Sequence, residues 1–153
     1  MILAVGFALA LADTLSGIPP WAEFSRSGAR SSVVETVTVD YARQVTPDRM
    51  EYQLTYTLVT REGSKSVSTT SVACPRARAV IGSMRDLAMP SFAPYGFNGD
   101  NRGSVRDGTF YSLRAPTNLL SGTATISSNE NTPLSRWVDK ALADLSPCWT
   151  KPA

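Results

Sequence analysis

Histidine is absent from all 153 residues. Without imidazole there is no Ser-His-Asp or Cys-His nucleophile system and no HExxH zinc site. Net charge is nearly absent as well: fifteen Lys+Arg against thirteen Asp+Glu give +2. That is too little for a general nucleic-acid- or membrane-binding surface. Cysteine is down to two residues, which without histidine make a poor metal site. No uninterrupted apolar run approaches the roughly 20 residues of a membrane-spanning helix. Walker and dinucleotide glycine patterns are missing, and so are the G-x-S-x-G elbow and any S-x-x-K pair at Lys65, Lys140 or Lys151. No metal, cofactor or nucleic-acid partner is expected.

What is present is enough to fold. Hydrophobic residues are 42% and charged residues 18%, the composition of a globular chain rather than a disordered one. Residues 1–12, MILAVGFALALA, carry no charge. Their apolar run has the length of a secretory h-region, and Ala10-Leu11-Ala12 supplies a small-x-small cleavage pattern before Asp13. The segment reads as a signal-peptide-like leader without its basic start; a short buried helix is the other reading. With the leader removed, no transmembrane anchor is expected, and no cysteine near the cleavage point offers a lipid anchor.

Cys74 and Cys148 form the only possible pair. In an exported protein of this size a disulfide is the expected state, and two free thiols in a reduced compartment the alternative. Closing so long a circuit stabilises a fold by roughly 4 kcal/mol in the loop-entropy model.

Between leader and body, residues 13–30 hold two prolines and two glycines without sustained periodicity. They read as an irregular arm, with Trp21 and Phe24 pinning it to the body. Residues 31–153 then read as a single domain. Ser32–Tyr41 is rich in valine and threonine, and Met50–Arg61 alternates almost without fault. Thr46-Pro47-Asp48 between them supplies a turn. Ser66–Ala73 is a weaker, more polar strand that suits a sheet edge. After Cys74-Pro75, the positions Ala77, Val80, Ile81, Met84, Leu87 and Ala88 follow a helical stripe that Pro90 ends. Thr109–Ala115 and Leu119–Ser128 read as two further strands. Thr132-Pro133 opens a second helix with the stripe Leu134, Trp137, Val138, Ala141, Leu142 and Leu145, and Ser146-Pro147 is expected to stop it.

The order βββαββα predicts a two-layer α+β domain: an antiparallel sheet of about five strands with two amphipathic helices on one face. A Cys74–Cys148 bond would join the start of the first helix to the end of the second and make them antiparallel neighbours.

The chemistry is thinner than the fold. Glu35 interrupts an apolar strand face, which suits either a buried acid or base or a simple partner for an arginine such as Arg114. Asn98–Thr109 has an outline of a calcium loop, but Arg102 stands where an oxygen ligand is needed and Thr109 where a bidentate glutamate is needed. Arg76, Arg78 and Arg85 read as a solvated helix face. The stretch Met89–Gly108 is long for a structureless connection and carries Phe92, Tyr95 and Phe97 with Arg102. Aromatic anchors of this kind occur at recognition surfaces, and equally as caps on a core. The functional expectation is therefore an exported, periplasmic or secreted, non-catalytic binding or structural module. Its partner would be a protein or an envelope ligand, with Phe92, Tyr95, Phe97 and Arg102 as binding residues. The alternative is a small hydrolase using carboxylates or a Ser–Lys arrangement.

Overall fold

The valine–threonine run and the alternating run after it form the longest ladder among the described residues. The computed structural model describes residues 19–28, 32–46, 49–88, 108–118 and 122–149. Within it, β2 (Val34–Thr46) pairs antiparallel with β3 (Arg49–Thr60). Their register sets Val37 opposite Tyr56 and Val39 opposite Leu54, so both apolar sets share one face. Arg61-Glu62 turns the chain into β4 (Gly63–Thr70). Gly63 has φ +140°, a conformation in which a side chain would be strained. β4 is an edge strand, but it begins at Gly63 instead of Ser66 and yields to a turn at 71–73.

Among the described residues the sheet has six strands, in the order β4-β3-β2-β1-β5-β6. The additional strand is β1 (Ala22–Ser27), which comes from the segment expected to be an irregular arm. It lies between β2 and β5 (Phe110–Pro116), antiparallel to both. Only Ala22 and Phe24 of AEFSRS are apolar, so its alternation is faint in the sequence. Pairing along both edges and complete burial of Phe24, edge-on to Trp137 at 5.2 Å, supply what local propensity does not. β6 (Thr123–Ser128) closes the far edge against β5. The expected start of that strand, at Leu119, lies outside the described residues.

Among the described residues two helices cover one face. α1 (Arg76–Ser83) follows Pro75 and tightens into a single 3₁₀ turn over Met84–Asp86, short of the expected end. Ser83 Oγ donates to the carbonyl of Val80 at 2.8 Å, a back-bond that competes with regular helix. α2 (Pro133–Trp149) starts with a reciprocal cap: Ser135 N–H donates to Thr132 Oγ1 at 3.0 Å and Thr132 N–H donates to Ser135 Oγ at 2.9 Å. It then runs through Pro147 instead of stopping before it. The missing N–H falls in the last turn, where a disulfide and a ring stack hold the backbone (Trp149 on Tyr56, centroids 5.5 Å).

Cys74 and Cys148 are bonded, with Cα atoms 5.7 Å apart. At the other end of the pair, Trp137 Nε1 donates to Ser83 Oγ at 3.0 Å. The start of α1 is thus tied to the end of α2, and the end of α1 to the start of α2, which makes the helices antiparallel. Ala77, Val80 and Ile81 of α1 join Leu134, Val138, Ala141, Leu142 and Leu145 of α2 over Phe24, Val37, Val39, Leu54 and Leu113. No described helix is long and apolar enough to cross a membrane.

The opposite face has no covering element among the described residues. One register row runs Ser127, Ser112, Ser25, Thr36, Thr57, Ser66, a hydroxyl on every strand of the sheet. The next row is Thr125, Arg114, Glu23, Thr38, Thr55, Ser68. Hydroxyls also bond across strands, Thr57 to Ser66 at 3.0 Å and Thr55 to Ser68 at 2.9 Å. A solvated face of this kind is what antiparallel sheets allow.

Candidate functional site

On the helix-covered face the rows change character toward one end. Ile126, Leu113, Phe24, Val37 and Tyr56 lie in register in the middle of the sheet. The neighbouring row is Tyr111, Arg26, Glu35 and Leu58, so the core gives way to a polar rim within one residue pair along each strand. α2 passes over this rim and brings down Asp139.

Arg26 sits at the centre of the resulting cluster. Its Nε donates to Glu35 Oε2 at 2.5 Å and its Nη1 to Asp139 Oδ1 at 2.9 Å. Tyr56 donates its phenol proton to Glu35 Oε1 at 2.9 Å, and Tyr111 donates to Asp139 Oδ2 at 3.1 Å. Every oxygen of the two carboxylates therefore accepts a hydrogen bond from the chain itself. The Glu35 side chain is 19% exposed and that of Asp139 45%. The Glu35 hydrogen bond holds the Arg26 guanidinium above its ordinary range. Burial, and then the bond to Glu35, pushes Tyr56 up to about 12; burial and Asp139 raise Tyr111.

The cluster lines a groove of about 420 Å³ between α2 and the rims of β1 to β3. One wall is Arg26, Glu35 and Tyr56; the other is a helical stripe of Asp139, Leu142, Ala143, Ser146 and Trp149. Trp149 is stacked on Tyr56 with ring planes 19° apart. A second hollow of about 310 Å³ continues past the same Arg26–Glu35 pair to Gly28, Val33, Thr109 and Tyr111. At the other end of the sheet Trp21, Tyr41 and Tyr52 pack together with centroids 5.3–5.8 Å apart.

Glu35, singled out from its place on an apolar strand face, is thus paired with Arg26 and not with Arg114. Arg114 donates to the carbonyl of Pro20 at 2.6 Å. Arg78, expected on a solvated helix face, is half-buried and donates from Nη2 to the Met50 carbonyl at 2.8 Å; its buried Nε has no partner among the described residues. Arg76 and Arg85 are exposed as expected. The most deeply buried carboxylate among the described residues is Glu51, which accepts from Arg43 Nε at 2.5 Å across the β2–β3 ladder. Phe92, Tyr95, Phe97 and Arg102 lie outside the described residues, as do the leader at 1–12 and most of the stretch that resembled a calcium loop.

Arg26, Asp139 and Trp149 carried no signal as site residues. Arg26 stood in a segment without visible periodicity, and Asp139 on the wet side of an amphipathic helix. No group of three or more Cys, Asp or Glu converges as a metal site among the described residues. No family model, no curated protein and no solved structure matches this chain.

Proposed function

We propose that the protein is an exported, non-catalytic binding module that takes its ligand in the groove beside Arg26, Glu35, Asp139 and Trp149. One observation carries this reading: all four carboxylate oxygens of the cluster are engaged by guanidinium or phenol donors. A general base must have a lone pair aimed at the proton it takes, and a general acid must hold a proton to give. Here Arg26 and a phenol already take one lone pair on each oxygen, and what remains is acceptor capacity beside a fixed guanidinium, which suits hydrogen bonding to a ligand. A network already closed on itself costs little to keep in place and presents fixed donors and acceptors to a ligand. The disulfide supports an oxidising compartment, periplasmic or secreted. No described serine hydroxyl bonds to a lysine; Lys140 bonds instead to Asp144.

The test compares turnover with retention on the oxidised chain. Peptide, ester and glycosidic substrates are offered to the protein and to Glu35→Gln, and envelope components are passed over the immobilised protein and its Ala143→Trp variant. Ala143 is exposed on α2 and lines the groove, so tryptophan there fills the site without entering the core. Retention lost in Ala143→Trp at an unchanged melting temperature supports binding. Turnover that disappears in Glu35→Gln overturns the reading in favour of a carboxylate hydrolase.

A further inference from the structure

We infer that the ligand class of this groove is a neutral saccharide, a step that rests on the binding reading above and narrows it. Three features of the site combine to select it.

The first is a rigid aromatic platform. Trp149 and Tyr56 are stacked at 5.5 Å with planes 19° apart, and both line the groove. The bond from Cys148 to Cys74 anchors the residue beside Trp149, so the indole is held in place before any ligand arrives. A flat ring of this kind suits the C–H face of a sugar, which is apolar on its face and polar at its edge.

The second is the pattern of polar groups lining the same groove. A sugar hydroxyl donates and accepts at once, and vicinal hydroxyls need donors and acceptors side by side. Glu35, Arg26 and Asp139 stand in that alternation, acceptor, donor, acceptor, at 2.5 and 2.9 Å from one another. Each carboxylate oxygen has acceptor capacity beyond its one bond, and Arg26 Nη2 is engaged by no described residue. Ser146 adds a hydroxyl on the helix wall.

The third is charge. Two carboxylates surround one guanidinium, leaving the site net negative. Phosphates, uronates and other anions are disfavoured by like charge. A volume of about 420 Å³ is that of an ordinary small-molecule site, and small Ala143 and Ser146 leave the groove open along α2. A neutral polyol with one apolar face meets all three conditions.

The experiment is saturation-transfer NMR on the oxidised chain with defined probes: chitotriose and cellotriose as neutral sugars, trigalacturonic acid as an acidic one, and trilysine as a cationic peptide. The expected result is transfer from protein to the ring C–H protons of a neutral trisaccharide and none to trigalacturonic acid. Ala143→Trp should weaken that binding by at least about tenfold, or about 1.4 kcal/mol, at an unchanged melting temperature. Trp149→Phe, which keeps a ring on Tyr56, should bind more tightly than Trp149→Ala. Transfer to trilysine alone overturns the saccharide assignment and leaves the binding reading standing. Cleavage of a trisaccharide in the same spectra retains the ligand class but overturns the non-catalytic reading. Absence of transfer to every probe, or transfer that Ala143→Trp does not reduce, overturns the saccharide assignment at this groove.

Discussion

Replacing both Cys74 and Cys148 by alanine tests the covalent tie on which the helical layer depends. The bond spans a sequence separation of 74. In the chain-entropy treatment a cross-link over a circuit of that length removes enough freedom from the unfolded chain to stabilise the fold by about 4 kcal/mol. Domains of this size hold about 5–15 kcal/mol in total, so the loss takes a large fraction of it. At about 2–4 °C per kcal/mol, the melting temperature should fall by roughly 8–16 °C. Urea unfolding followed by far-UV circular dichroism measures both the midpoint and its slope. The mechanism predicts a particular pattern: the variant's unfolded chain is free to expand, so the urea slope should rise as the midpoint falls. A loss under about 1 kcal/mol with an unchanged slope would refute the reasoning, because it would mean that the unfolded ensemble already brings these ends together.

Phe24→Ala removes a fully buried ring from the middle of the sheet and should cost about 3–5 kcal/mol by denaturant titration; a loss under about 1 kcal/mol would return residues 22–27 to the status of a peripheral arm. Thr132→Ala breaks the reciprocal cap of α2 and should cost about 1 kcal/mol, with the helical circular dichroism signal fraying first. Folding raises the pKa of both Tyr56 and Tyr111, so each favours the folded state while its phenol is protonated. That contribution is complete below about pH 10, the unfolded value. It is lost as the pH rises toward about 12 for Tyr56. Alkaline unfolding should therefore steepen above pH 10, and Tyr56→Phe should flatten the curve.

Strong local periodicity explains what could be read in advance. The alternation of Met50–Arg61 and the stripe of α2 each repeat often enough to override noise, and two cysteines admit only one pairing. β1 could not be read because its open-face residues, Glu23, Ser25 and Ser27, are as polar as those of a loop. Its identity comes from ladders on both sides, which are contacts between distant segments. The same cause hid the groove. Arg26 meets Glu35 through strand register and Asp139 through a helix 113 positions further along the chain. Neither neighbour is visible until β1 is a strand. Pro147 misled for the opposite reason: a local rule for stopping helices gave way to a tertiary disulfide and a ring stack at the helix end.

The hydroxyl-bearing side of the sheet has a consequence for how this chain tolerates change. Among the described residues every covering element lies on one side of a single pleated layer, so neighbouring positions along each strand live under unlike constraints. In β1, Phe24 is locked among core side chains while Ser25 beside it lies on the face that no described element covers. Drift in the gene should therefore accumulate in a two-beat rhythm along the strands, quick at the serines and threonines and slow between them.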